Sequence, residues 1–182
     1  MRTSPARRQL GPRAEQVVQV ALDLLEAEGA EAVTMRRVAE VLGIRAPSLY
    51  RHFPNKQAIE LAMIESGLEL IGSHLHAAVG EPGPPGEAVA RLLAVYRDRS
   101  TAHPNLYRLA TSGPLPRNLL TPGLEEWAGE PFFLVTGDPF RAQALWSFAH
   151  GMVILEIDGR YPEGSDLDQT WAAGAAAFQS LA

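Results

Sequence analysis

VAEVLGIRAPSLYRHFPNK, residues 38–56, holds two short apolar-patterned pieces separated by a glycine and closed by a proline. Thr34 precedes the stretch as an N-cap, and Met35, Val38, Ala39 and Leu42 follow at i, i+3, i+4 and i+7, the spacing of one helix face. Gly43 suits the left-handed residue that ends such a helix. Pro47 fits the first turn of the next helix, and Pro54 pushes Phe53 out of helical geometry. In that second piece Ala46, Leu49 and Phe53 share a face able to pack on Val38 and Leu42. Arg45, Pro47, Ser48, Arg51 and His52 then look outward, with Tyr50 at the border. Two short helices joined by Gly43-Ile44-Arg45-Ala46 make a helix-turn-helix unit.

Outward from this stretch the helical period continues. Val17, Ala21, Leu24 and Leu25 mark a helix over about 13–28, stopped by Gly29. Asn55 can cap a longer helix from Lys56 to about Ala78. GEPGPPGE, residues 80–87, is the clearest break, and helices are expected at about 87–101 and 104–111. Three prolines make 113–123 a loop. A helix over about 123–136 ends at Gly137, and Asp138-Pro139 opens another that reaches about Gly159. Ser165 is the expected cap of the last helix. Sustained alternation and Asn-Gly or Asp-Gly hairpins are missing, so the fold class is all-α: a three-helix helix-turn-helix domain, then an antiparallel helical domain, about nine helices in total.

Composition sets limits. With 46% hydrophobic and 20% charged residues the chain can bury a core, and with no cysteine it has neither disulfides nor thiolate zinc sites. Apolar runs stay short of a membrane span, and MRTSPARRQLGPR lacks the apolar block of a signal peptide, so a soluble, cytoplasmic protein is expected. The net charge of −5 hides an asymmetry: residues 1–56 hold nine Lys or Arg against six Asp or Glu, and the remainder seven against fifteen. A basic head on an acidic body suits one end meeting phosphates.

The outward face of the second short helix has the chemistry of a recognition helix. Arg reads guanine edges bidentately, Ser donates to phosphate or base, and Tyr and His donate to phosphate oxygens. Lys56, the only lysine, adds to the positive end of the next helix as a phosphate clamp. LLEAEGAEAVTMRRVAEVLGIRAPSLYRHFPNKQAIELA resembles the DNA-binding domain of the tetracycline-repressor (TetR) family of bacterial transcription regulators over residues 13 to about 62. The resemblance implies that Thr34, Arg36, Arg45, Pro47, Ser48, Tyr50, Arg51, His52 and Lys56 face double-stranded DNA. Arg37 is added on electrostatic grounds. It also implies a homodimeric repressor with residues 1–56 on a palindromic operator and 57–182 forming a ligand-binding and dimerisation domain.

LWSFAHGMVILEIDGRYP, residues 145–162, resembles a family subgroup with Trp146, His150 and Gly151 as its pattern. Gly151 is expected to admit another helix closely. The aromatic set Tyr96, Tyr107, Trp127, Phe132, Phe133 and Trp146, with His150, predicts a pocket for a hydrophobic or aromatic effector, the alternative being plain core. The near-continuous apolarity of 142–157 predicts dimerisation through Phe148, Met152 and Leu155 together with Trp171, Ala175, Phe178 and Leu181 of the last helix. No cofactor is expected. His74 and His76 point to different helix faces, so no metal is expected either. P-loop, GxSxG and dinucleotide glycine patterns are missing. The alternatives are a small helical enzyme using His150 and Glu156, which six-residue spacing does not bring together, and a protein-binding adaptor.

Overall fold

The helix starts are where the capping side chains put them. In the computed structural model, which describes residues 4–5 and 10–179, the hydroxyl of Thr34 accepts the Arg37 N–H at 3.1 Å. Asn55 accepts from Ala58 N at 2.9 Å, and Asp138 from Arg141 N at 2.8 Å. Among the described residues there are nine α-helices and no strand: α1 Pro12–Glu28, α2 Met35–Val41, α3 Ala46–Leu49, α4 Lys56–Gly80, α5 Ala88–Ala102, α6 Pro104–Thr111, α7 Leu124–Thr136, α8 Pro139–Ile157 and α9 Leu167–Gln179. The last cap differs from expectation. Asp166, adjacent to the first helical residue, accepts from Gln169 N at 2.9 Å, while the Ser165 hydroxyl turns back to the Pro162 carbonyl.

The chain forms two compact units. One comprises Ser4–Glu69 and His103–Glu125, so α6 and the 113–123 loop belong with the helix-turn-helix. Its core collects Val17, Ala21 and Leu25 of α1, Val38 of α2, Leu49 of α3, and Ile59 and Met63 of α4, with Leu106 and Leu109 of α6 packed against them. Polar contacts complete the docking of α6. The Glu26 carboxylate accepts the backbone N–H groups of Asn105 (3.2 Å) and Leu106 (2.8 Å) in the first turn of α6. The Asn105 amide donates back to the Leu25 carbonyl near the end of α1 at 3.0 Å. Each helix end thereby satisfies groups the other leaves unpaired. The buried Glu65 carboxylate accepts Thr121 N at 2.6 Å and ties down the loop.

The other unit comprises Leu70–Ala102 and the described residues from Glu126 onward. Leu92, Leu93 and Tyr96 of α5, Leu145, Ala149 and Val153 of α8, and Trp171 and Ala175 of α9 are buried within it. Arg97 of α5 joins all three helices: it grips the Glu156 carboxylate of α8 at 2.8 and 2.9 Å and reaches Asp168 of α9. Its pKa is raised, chiefly by the Glu156 hydrogen bond and against the cost of burial. Gly174 lets α8 and α9 close up. A Cβ there would stand 2.0 Å from Cζ of Phe148, whose ring also meets Trp171 and Phe178.

Candidate nucleic-acid interface

The turn between α2 and α3 is built by the backbone. Gly43 has φ +64°, its N–H reaches the Glu40 carbonyl at 3.0 Å, and the Ile44 N–H reaches the Ala39 carbonyl at 3.0 Å. This is a Schellman stop, and a side chain at Gly43 would be strained in that conformation. The chain then enters α3 with Arg45 as the residue before the helix and Pro47 in the first turn. The α3 helix is a single turn. Beyond it Tyr50 N still bonds to Ala46 O, and both His52 N and Phe53 N bond to Leu49 O. Leu49 and Phe53 are buried against the core, which fixes the opposite face outward.

Of the residues expected to face DNA, Thr34, Arg36, Arg45, Pro47, Tyr50, Arg51 and His52 are exposed, and Ser48 is half-buried. Tyr50 stands well clear of the core, at 51% exposure, rather than at its border. Arg51 Nη2 donates to the Ser48 hydroxyl at 3.4 Å. No carboxylate among the described residues pairs with Arg36, Arg45 or Arg51, so this face presents cationic groups.

Two expected contacts stand apart. Arg37 is bound to Glu28 at 2.9 Å and lies 3.5 Å from Glu40, and the Glu28 hydrogen bond raises its pKa. Its guanidinium braces α1 against α2. Lys56 Nζ donates to the Ala30 carbonyl at 3.1 Å and lies 3.4 Å from Glu60. Neither cation is presented in the way Arg45 and Arg51 are.

The residues expected at an effector pocket are divided between the two units. Tyr96 and Phe132 meet edge to face, with ring centres 5.5 Å apart, and both are buried with Trp127 in the unit that holds α8. Tyr107 is buried in the other unit. Phe133 and Trp146 are exposed, and Trp146 stacks on His150, whose pKa is lowered by desolvation. Of the residues expected at a dimer interface, Met152, Trp171 and Ala175 are buried within this chain, and Phe148 wedges between Trp171 and Phe178. Only Leu155 is exposed, and Leu181 lies outside the described residues. Gly151 has no atom within 4 Å of an added Cβ.

Glu156, the carboxylate of the enzyme alternative, accepts from Arg97 and from Trp171 Nε1 at 3.2 Å. Among the described residues no cluster of metal-ligating side chains occurs, and no helix is long and apolar enough to cross a membrane. His76, which the sequence offers only as a candidate metal ligand, is a buried hydrogen-bonding residue. The signal was Pro131, four residues after Trp127.

Residues 17–63 match the family model described as bacterial regulatory proteins, tetR family. The class C tetracycline repressor of Escherichia coli is 38% identical over 96 residues, covering 49% of this chain and 43% of that protein, so the match spans under half the relative's length. A solved structure of a protein with unknown function from Rhodococcus sp. RHA1 has the same fold, with a TM-score of 0.81, 20% identity, and coverage of 93% of this chain and 95% of that one. A possible TetR family transcriptional regulator from Streptomyces coelicolor A3(2) superposes with a TM-score of 0.69 at 22% identity, covering 92% and 97% of the two chains. Residues 17–63, with their helix-turn-helix, are thus similar to the bacterial regulatory proteins of the tetR family, and the all-α fold as a whole is shared with the solved structures.

Proposed function

We propose that the protein is a DNA-binding transcription regulator, acting as a cytoplasmic repressor that leaves its operator when a small molecule binds. The observation that carries this reading is the outward face of α3, where Arg45 and Arg51 stand exposed and without carboxylate partners beside Ser48, Tyr50 and His52. Guanidinium groups on a helix-turn-helix suit guanine edges in the major groove, with hydroxyl and imidazole groups left for phosphates.

Two copies on a palindromic operator require a two-fold interface. The outer side of α8 supplies a face for it: Ala144, Ser147 and Gly151 lie along one stripe, flanked by exposed Phe140 and Leu155. The outer side of α9 is rich in alanine, with Ala172, Ala173 and Ala176 exposed. Small residues let helices approach closely, and Gly151 is open to such an approach. The effector is read as a hydrophobic or aromatic small molecule, supported by the aromatic content of residues 57–182 and by a relative that is by name a tetracycline repressor. His150, stacked on Trp146, is the polar contact assigned to it.

The test is binding-site selection with the purified full chain, followed by mobility shift on the selected sequence. A two-fold symmetric site bound at nanomolar concentration is expected. Selection that yields no sequence above background overturns the reading.

A further inference from the structure

Proline at position 131 lies inside α7 and has no N–H, so the carbonyl four residues earlier, that of Trp127, loses its helical donor. Trp127 is buried, and a buried carbonyl without a partner is costly. The missing donor comes from another helix. His76 of α4, 2% exposed, places Nε2 2.9 Å from Trp127 O. A carbonyl can only accept, so this contact requires the hydrogen on Nε2. The imidazole also stacks on the indole of the same residue, ring centres 4.9 Å apart and planes 23° from parallel. One turn earlier on α4, Gly72 makes room for that indole: a Cβ there would sit 2.5 Å from Trp127 Cζ3 and 3.0 Å from the Ala128 backbone. A carboxylate oxygen of Glu130 lies 3.8 Å from Nε2.

We infer that His76 is a latch that sets the position of α4 on α7, supplying the donor that Pro131 withholds from Trp127. This goes beyond DNA recognition and concerns how α4, one unbroken helix from Lys56 to Gly80, is held at its far end. Withdrawing the imidazole removes the donor that α4 supplies to α7, so the contact favours one seat for α4. His76 is a positioning residue with no role at the DNA face.

The test is a double-mutant cycle on the full chain, read by thermal unfolding. His76→Phe keeps an aromatic ring for the stack and removes the donor, and a Tm loss of about 3–8 °C is expected. Pro131→Ala restores an N–H four residues after Trp127, so in that background His76→Phe should cost less than half as much. Equal losses in both backgrounds overturn the latch, as does no loss in either. Should His76→Phe fail to fold, ¹⁵N-resolved NMR of the parent decides. A slowly exchanging Nε2–H on His76 supports the latch, and an Nδ1–H tautomer or a rapidly exchanging proton overturns it.

Discussion

Lys56 Nζ and the carbonyl of Ala30 are joined by a 3.1 Å hydrogen bond that ties the start of α4 to the connection between α1 and α2. A phosphate that recruits this lysine must therefore compete with a backbone acceptor and with Glu60. Lys56→Ala should lower Tm by about 1–5 °C, the loss of one hydrogen bond. It should also weaken DNA binding to every sequence alike and reduce the salt slope by about 0.9. Titrations at several salt concentrations measure this. An unchanged slope would confine Lys56 to holding Ala30.

Gly174 is a packing glycine. Gly174→Ala puts a methyl within 2.0 Å of the Phe148 ring, which is held between Trp171 and Phe178. Overpacking costs about 1–3 kcal/mol, more than the gain in helix propensity of up to about 1 kcal/mol. Thermal denaturation should show a lower Tm than the parent. A rise would mean that α8 and α9 pack more loosely than described.

Gly151 gives the opposite expectation for a single chain, because its Cβ direction is empty. Gly151→Leu should leave helix content unchanged and break the proposed two-fold contact. Sedimentation at micromolar concentration should show dimers for the parent and monomers for the variant. A variant that stays dimeric would place the interface elsewhere.

His150 links stability to pH. Desolvation lowers its folded-state pKa below the ordinary histidine value, so near neutrality the unfolded chain binds more protons. The contribution is fully present above the unfolded value of about 6.5 and is lost as pH falls toward the folded one. His150→Phe should reduce the fall in Tm between roughly pH 7.5 and pH 5. An identical fall in both proteins would show that other groups cause it.

The features legible in the sequence are those that local chemistry decides. Thr34, Gly43, Asn55 and Asp138 act within a few residues of themselves, and each does what its type and position predict. Features that depend on distant partners were hidden. The charge of Arg37 is visible in the sequence, but its engagement by Glu28, nine residues earlier, is not. Apolarity says that Met152 and Trp171 are buried but not whether their own chain or a second one buries them. The docking of α6 on α1 rests on Glu26 and Asn105, 79 residues apart. The His76–Trp127 contact spans 51 residues, and only the proline that makes it necessary is local.

The central claim rests on Arg51, exposed on the outward side of the turn that ends α3 and free of any carboxylate among the described residues. The decisive measurement is the affinity of Arg51→Ala for the selected operator and for its single-base variants, beside the parent, at one fixed salt concentration. A loss of about 1–3 kcal/mol, or roughly 5- to 150-fold, is expected, with discrimination relaxed at one base position per half-site and Tm unchanged. Binding as tight and as selective as that of the parent would contradict the assignment of this face to DNA.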